Sequence, residues 1–271
     1  MIPRVSSKAE DRLRQTLEAL RSEGCVVLEH VFGAATLARV RESLYRGLEL
    51  VSETVGAETL DRAGELGVVR APMLSGPVFF ELIAAPEILE IIDATLSPTA
   101  IIHLQNGFVL PPAQPGDEER FQRRFHRDFP RVLNGYLCSI NTLIAVDEFT
   151  TANGATVVVP RTHQRAESPE ERELNENATA TECAAGDVIV FDSTLCHAAG
   201  LNASGTDRCA VNQQYTRSYF KQQIDYVRCL GNEVVERQPP RVQQLLGWYT
   251  RVPANLDEYY KEDRVYRAGQ G

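Results

Sequence analysis

The spacing of hydrophobic residues changes its period part-way along the chain. Residues 7–22, "SKAEDRLRQTLEALRS", place Leu13, Leu17 and Leu20 at helical intervals after a Ser-Ser start, which predicts an amphipathic helix ended by Gly24. "CVVLEHVF" reads as a short strand and "AATLARVRESLYRGLELVSETV" as a second helix. "GPVFFELIAAPEILEIIDATL" holds one or two more. After Pro98 the texture becomes that of strands. "AIIHLQNGFVL", "NGYLCSINTLIAVDEF", "GATVVVP", "ATECAAGDVIVFDS" and "CAVNQQYTRSYF" are short runs rich in β-branched and aromatic residues. Turn-formers such as "PAQPGDEE", "TTANG", "SPEERELNEN" and "NASGTD" separate them. "VERQPPRVQQLLGWYTRV" returns to helix, and the tail "DEYYKEDRVYRAGQG" is polar and expected to be loosely held.

Helices followed by many short strands predict a mainly β fold with flanking helices, an antiparallel barrel or sandwich wrapped by the N-terminal part. No internal repeat or low-complexity segment occurs. One domain over 1–271 is expected, with a mostly helical part at 1–98, a β core at 99–220 and a C-terminal helix and tail at 221–271.

Composition changes this picture only by exclusion. A chain with 43% hydrophobic and 24% charged residues is ordinary for a globular protein with a sizeable core. A net charge of −9 argues against nucleic acid as a partner, since phosphate binding needs a basic face. No apolar run of about 18 residues is present to span a membrane. "MIPRVSSKAEDRLRQ" lacks the apolar core of a signal peptide, so a cytoplasmic protein is expected. The six cysteines (Cys25, Cys138, Cys183, Cys196, Cys209 and Cys229) form no CxxC, hence neither a zinc pattern nor a disulfide framework. The sequons "NAT" and "NAS" are then chance matches.

The chemistry gathers around "RRFHRDFPR", residues 123–131. On a strand, His126 and Asp128 would project to one face, with Phe125 and Arg127 on the other. A surface ion-pair cluster with Arg123, Arg124, Arg127 and Arg131 is the plain alternative. A metal site needs a third ligand. His197, in "FDSTLCHAAGLN" about 70 residues on, follows an apolar strand that would carry it to a strand end. Two imidazoles and one carboxylate form the facial triad of non-haem iron(II) oxygenases. His163, in "VVPRTH", is the rival ligand and reads better as part of a turn; His103 and His30 receive no role. Arg208 lies 11 residues beyond His197, and a buried guanidinium suits a carboxylate held bidentately. Cys196 and Cys209 flank these residues and should point to the opposite face. Arg131 and Arg217 are candidates for the mouth of the site. Trp248, Tyr259 and Tyr260 are candidates for closing it, beside the plainer reading of helix packing or a subunit contact.

"RFHRD", "DEFTTANGATVVVPRTHQ", "GDVIVFDSTLCHAAGLN" and "DRCAVNQQYTR" together resemble the blocks of the phytanoyl-CoA dioxygenase family of Fe(II)/2-oxoglutarate oxygenases, over about 99–217. The resemblance implies a double-stranded β-helix with Fe(II) held by His126, Asp128 and His197, and Arg208 paired with the cosubstrate 2-oxoglutarate, with O2 as oxidant. Gln105 matches a glutamine that contacts the cosubstrate in some members, and Asn141, Thr142 and Thr156 are taken as cosubstrate neighbours. Two departures stand out: Arg161 occupies the glycine position of the usual Pro-Gly-Ser/Thr-His turn, and "SINTLIAV" lacks the tryptophan of some relatives. The implied reaction is hydroxylation of an unactivated C–H of a small molecule, in natural-product or solute biosynthesis, with release of succinate and CO2. Asp128 disfavours halogenation, because related halogenases carry a small residue there. Desaturation, epimerisation and ring formation share the same ligands and stay open, as do a non-oxidative metal-binding cupin-like protein and a hydrolase or isomerase using the metal as a Lewis acid. The partner expected is a small-molecule substrate, with monomer and homodimer both open.

Overall fold

Strand alternation in "CVVLE" already separates two interiors. Val26 and Leu28 pack in one hydrophobic cluster with the helices, while Cys25 and Val27 pack in a second one on the opposite face. The computed structural model describes residues 1–114 and 124–260, which include two sheets with this arrangement. Their strands are β1 (Arg4–Ser6), β2 (Cys25–Glu29), β3 (Val68–Arg70), β4 (Ile101–Leu110) and β5 (Ser139–Ala145), then β6 (Val157–Val158), β7 (Thr179–Ala180), β8 (Val188–Asp192), β9 (His197–Ala198) and β10 (Arg208–Thr216). The large sheet runs β1-β2-β8-β5-β10-β4-β3, and the small one β7-β6-β9. Every pairing is antiparallel except β1 with β2.

Helices cover the outer face of the large sheet. α1 (Arg12–Glu23) ends at Gly24, as expected from sequence, where the glycine adopts φ +82 and returns its N–H to the Leu20 carbonyl as a left-handed cap. α2 (Ala34–Val55) coincides with the predicted segment, and α3 (Ala57–Ala63) follows it after Gly56. α4 (Val78–Ile83) and α5 (Pro86–Thr95) divide the next segment at the Ala85-Pro86 step, where proline sits in the first turn. From these, Leu20, Val40, Leu44, Phe79, Leu82, Ile83, Ile88 and Ile92 meet Ile140, Ile144, Val188, Val190 and Val211 of the sheet. Complete burial of side chains this size is worth roughly 1.5–3 kcal/mol each.

The stretch 1–98 is mostly helical, and beside the expected β2 it adds β1 and β3 to the large sheet. α6 (Glu171–Asn177) lies between β6 and β7, and the C-terminal helix is broken into α8 (Asn232–Glu236) and α9 (Pro240–Leu245), because Pro239 and Pro240 remove two successive N–H donors; α7 (Tyr226–Leu230), as short as α8, precedes them. The tail beyond Tyr260 lies outside the described residues.

The turn entering β8 positions everything that follows. Gly186 has φ +92, and a Cβ there would lie 2.1 Å from the Phe32 carbonyl oxygen. Its own carbonyl accepts from the N–H groups of Val31 and Phe32, so the backbone cannot step aside without losing both bonds. Gly186→Ala is expected to cost roughly 3 kcal/mol or more, from the left-handed conformation and the overlap together. A urea midpoint unchanged from the wild type would contradict this.

Candidate metal centre and its cavity

The two histidines are tied by backbone before any ligand is considered. His126 N–H donates to the His197 carbonyl and His197 N–H to that of His126, both at 3.0 Å, and the ring centroids lie 4.4 Å apart. This is an isolated bridge and not the strand predicted over 123–128. The ladder stops because Phe129 N–H turns to the Ser193 carbonyl and Pro130 has no N–H to continue it. Arg123 of the predicted strand lies outside the described residues. Asp128 therefore reaches the histidines from a bend.

In both rings Nδ1 is engaged by the carbonyl two residues back, Arg124 at 2.9 Å for His126 and Leu195 at 3.0 Å for His197. A proton on Nδ1 satisfies those carbonyls and makes each Nε2 the nitrogen able to bind a metal. Those Nε2 atoms lie 3.6 and 3.7 Å from the carboxylate oxygens of Asp128. One ligand atom from each residue falls within 4.8 Å of the others, close enough to share one cation.

Burial alone would raise the Asp128 pKa, but the His197 and His126 rings and the Asn141 N–H outweigh it and hold the carboxyl below its ordinary value. Burial dominates at His197 and favours its neutral form. At His126 burial is overcome by Asp128 and the Arg124 carbonyl, so its pKa is raised. Asn141, on β5, donates from Nδ2 to Asp128 Oδ2 at 2.5 Å and fixes which carboxylate face meets the histidines. Outer partners of this kind are commonly worth 10- to 100-fold in metal affinity. Asn141→Ala is accordingly expected to weaken Co(II) binding by roughly that factor, read from the cobalt visible spectrum. An unchanged titration would separate Asn141 from the centre.

The triad opens into a cavity of about 370 Å³ whose walls include Leu143, Phe191, Phe108, Ala210 and Thr156. Arg208 enters the same cavity and is only 5% exposed. Its guanidinium lies over the Phe149 ring at 4.3 Å, and its Nε and Nη1 have no hydrogen-bond partner among the described residues. Burial lowers its pKa to about 10.

Of the residues taken from sequence, His126, Asp128, His197, Thr156 and Arg208 line one cavity. Gln105 does not. Alternation along β4 turns Leu104, Asn106, Phe108 and Leu110 inward, while the Gln105 amide points outward to the Phe79 carbonyl and Gln213. Thr142 also faces outward, bonded to Gln213, and Asn141 meets a metal-ligand candidate instead of the Arg208 end. Arg217 is committed to carbonyls of Leu137 and Leu96 and stacks on Tyr136; Arg131 is exposed, and neither lines the cavity. Arg127 turns away to cap the carbonyls of Thr162 and Arg165. Cys196 and Cys209 pack in hydrophobic clusters. Trp248 is buried in the helical core, and Tyr259 and Tyr260 meet edge to face in α10 (Leu256–Tyr260); none of the three lines the cavity. His163 sits in a turn against the Arg21 carbonyl, where Arg161 holds φ +69 and pairs with Glu23. Sequence reading passed over Arg70, Glu65, Asn106, Asn212 and Gln223, which complete the cavity wall. The available signal was weak, since Asn106 and Asn212 stand beside other polar residues, Gln105 in one strand and Gln213 and Gln214 in the other.

Among the described residues, no helix is long and apolar enough to cross a membrane. The sequence profile of the phytanoyl-CoA dioxygenase family matches residues 20–210. An uncharacterized protein of Mycobacterium tuberculosis is 54% identical over an alignment covering 100% of both chains. Dioxygenase cdmD of Talaromyces verruculosus is 32% identical over 146 residues, 51% of this chain and 46% of that one. The solved structure of a non-heme monooxygenase in a nickel complex shares the fold, with a TM-score of 0.59 at 21% identity over 77% of this chain and 79% of that one.

Proposed function

Because the chain belongs to the phytanoyl-CoA dioxygenase family, we propose that it is an Fe(II)- and 2-oxoglutarate-dependent dioxygenase that hydroxylates a C–H bond of a small molecule. In this reading the two sheets are the halves of a double-stranded β-helix within one domain over 1–271, and the product belongs to natural-product or solute biosynthesis. One observation carries the proposal: a buried guanidinium that has no counter-ion among the described residues opens into the cavity that receives two imidazoles and a carboxylate.

The donor set fits iron. Nε2 of His126, Nε2 of His197 and an Asp128 oxygen would hold it, and neutral nitrogen with carboxylate oxygen is the ligand set of facial-triad Fe(II) sites. Bound iron supplies the oxygen chemistry that side chains lack. The protein contributes position and dryness. Asn141 and the two Nδ1–carbonyl bonds orient the ligands. Arg208 offers its planar fork to the distal carboxylate of 2-oxoglutarate, a partner that compensates its desolvation. Phe191, Leu143 and Phe108 keep water from the reacting C–H. Asp128 fills the position that halide needs in related halogenases, which favours hydroxylation over halogenation.

An anaerobic titration with Fe(II) and 2-oxoglutarate is expected to develop the weak visible band of a chelated 2-oxo acid. Admission of air should then release succinate. Metal binding without the band and without succinate would overturn the reading and leave a metal-binding protein with no oxidative role.

A further inference from the structure

The cavity has a second polar region that none of the roles above employs. Arg70 of β3 pairs in register with Asn106 of β4, and Asn106 with Asn212 of β10, so three polar side chains form a row across adjacent strands. All three line the cavity. Asn212 stands four residues along β10 from Arg208, roughly 13 Å in an extended strand. The cation at one end and the row at the other therefore serve different groups.

The charges at the row cancel. Arg70 engages both carboxylate oxygens of Glu65, with Nε at 3.2 Å from Oε2, and its Nη1 donates to Gln223 Oε1 at 3.2 Å. In the amide orientation that satisfies both of its ends, Asn106 accepts from the same Nη1 at 2.8 Å and donates to the Gln105 carbonyl. Arg70 is thus saturated by neutral and anionic acceptors of its own. Asn212 differs, because its Oδ1 is buried and has no partner among the described residues. Among the described lining residues, Arg208 is then the one cation without a counter-ion, and the cosubstrate claims it. A phosphate or carboxylate at the row would lose hydration against a pair that is already neutral, and an ammonium would compete with Arg70 for Glu65. Unpaired burial of an ion costs far more than exchange of one neutral hydrogen bond for another.

We propose that the row Arg70–Asn106–Asn212 is the substrate-recognition subsite, and that it takes an uncharged hydrogen-bonding group, an amide N–H or a hydroxyl, donated to Asn212 Oδ1. The inference rests on the oxygenase reading for its partition of the cavity, with Arg208 reserved for 2-oxoglutarate. The substrate is then a small polar neutral molecule at its recognised end, and neither a coenzyme-A thioester nor a phosphorylated compound is recognised by this wall.

Matched fragments test this on the full chain loaded with diamagnetic Zn(II) and 2-oxoglutarate. Acetamide, acetate, methylammonium and methyl phosphate are titrated while the side-chain amide resonance of Asn212, identified by its loss in Asn212→Leu, is followed by NMR. Acetamide should move that resonance saturably and bind roughly 3- to 10-fold more tightly than any charged fragment, the value of about one neutral hydrogen bond. Asn212→Leu should weaken acetamide binding by a similar factor, followed at the Gln223 amide. Asn212→Ser, which keeps a polar group, should lose less. Preference for a charged fragment, equal binding of all four, or no movement of the Asn212 resonance would each overturn the proposal. Binding of 2-oxoglutarate should be the same in wild type and both variants. Its failure in wild type while acetamide still binds would sink the oxygenase reading and spare the subsite.

Discussion

Asp128→Gly will fold and will not turn over. In the proposed centre the carboxylate is the ligand that cannot be replaced from nearby, because among the described residues lining the cavity the other acid, Glu65, is bound to Arg70. The two imidazoles remain anchored by their mutual backbone bonds and their Nδ1 contacts, so the site keeps its shape and loses one donor. Partners one layer outside a metal are already worth 10- to 100-fold in affinity, so removal of a ligand is expected to exceed roughly 100-fold. The Co(II) spectrum reads that loss directly. Succinate release should fall below detection at iron concentrations that saturate the wild type. Stability should fall without loss of the fold: the variant leaves the Asn141 N–H without its acceptor, a cost of roughly 1–3 kcal/mol, and it removes a carboxylate whose charged form the fold favours. Full activity in this variant would remove Asp128 from the centre.

What could be read from the chain, and what could not, divides along the range of the information. α2 was bounded to the residue because the 22-residue stretch has one continuous helical stripe and glycine on each side. The two histidines and the aspartate that the fold brings together were legible as residue types at a distance, yet the strand drawn under His126 and Asp128 was not there. A pattern of two residues specifies no ladder, and Pro130 with the Phe129–Ser193 bond ends it. The failure at Gln105 is of another kind. "HLQN" presents two polar neighbours, and alternation states that they face opposite sides without stating which side is inward. Both faces of β4 are covered, one by helices and one by the cavity wall, so hydrophobicity gives no phase. The phase is set by register: Asn106 lies opposite Asn212 and Arg70, and those partners are distant in sequence. For the same reason the sequence marked Asn141 only as a polar residue within a strand, and the fold alone brings it to Asp128.

Arg208→Met will separate binding from stability in opposite directions. Among the described residues the guanidinium has no counter-ion and its Nε and Nη1 lack partners, and burial holds its pKa at about 10 against an ordinary 12.5. The sign follows from the direction. A base whose folded pKa is lowered is charged in both states at neutral pH, so the full desolvation cost, about 3 kcal/mol, is carried by the fold there; it fades only as pH rises above about 10. Methionine removes that cost and loses the stacking on Phe149, worth about 1–2 kcal/mol. The ligand-free variant is therefore expected to be more stable than wild type by roughly 1–2 kcal/mol, seen as a higher urea midpoint. Its requirement for 2-oxoglutarate should rise roughly 100-fold or more, because charge-assisted bonds to a desolvated carboxylate are worth about 1.5–3 kcal/mol each and the fork makes two. Fe(II) affinity should stay as it was, since Arg208 touches none of the three ligands. A residue kept for packing would give the reverse: lower stability and unchanged cosubstrate demand. A gain in stability joined to a loss of 2-oxoglutarate binding marks a charge held in the interior for a ligand, the stability cost that a functional site places on its fold.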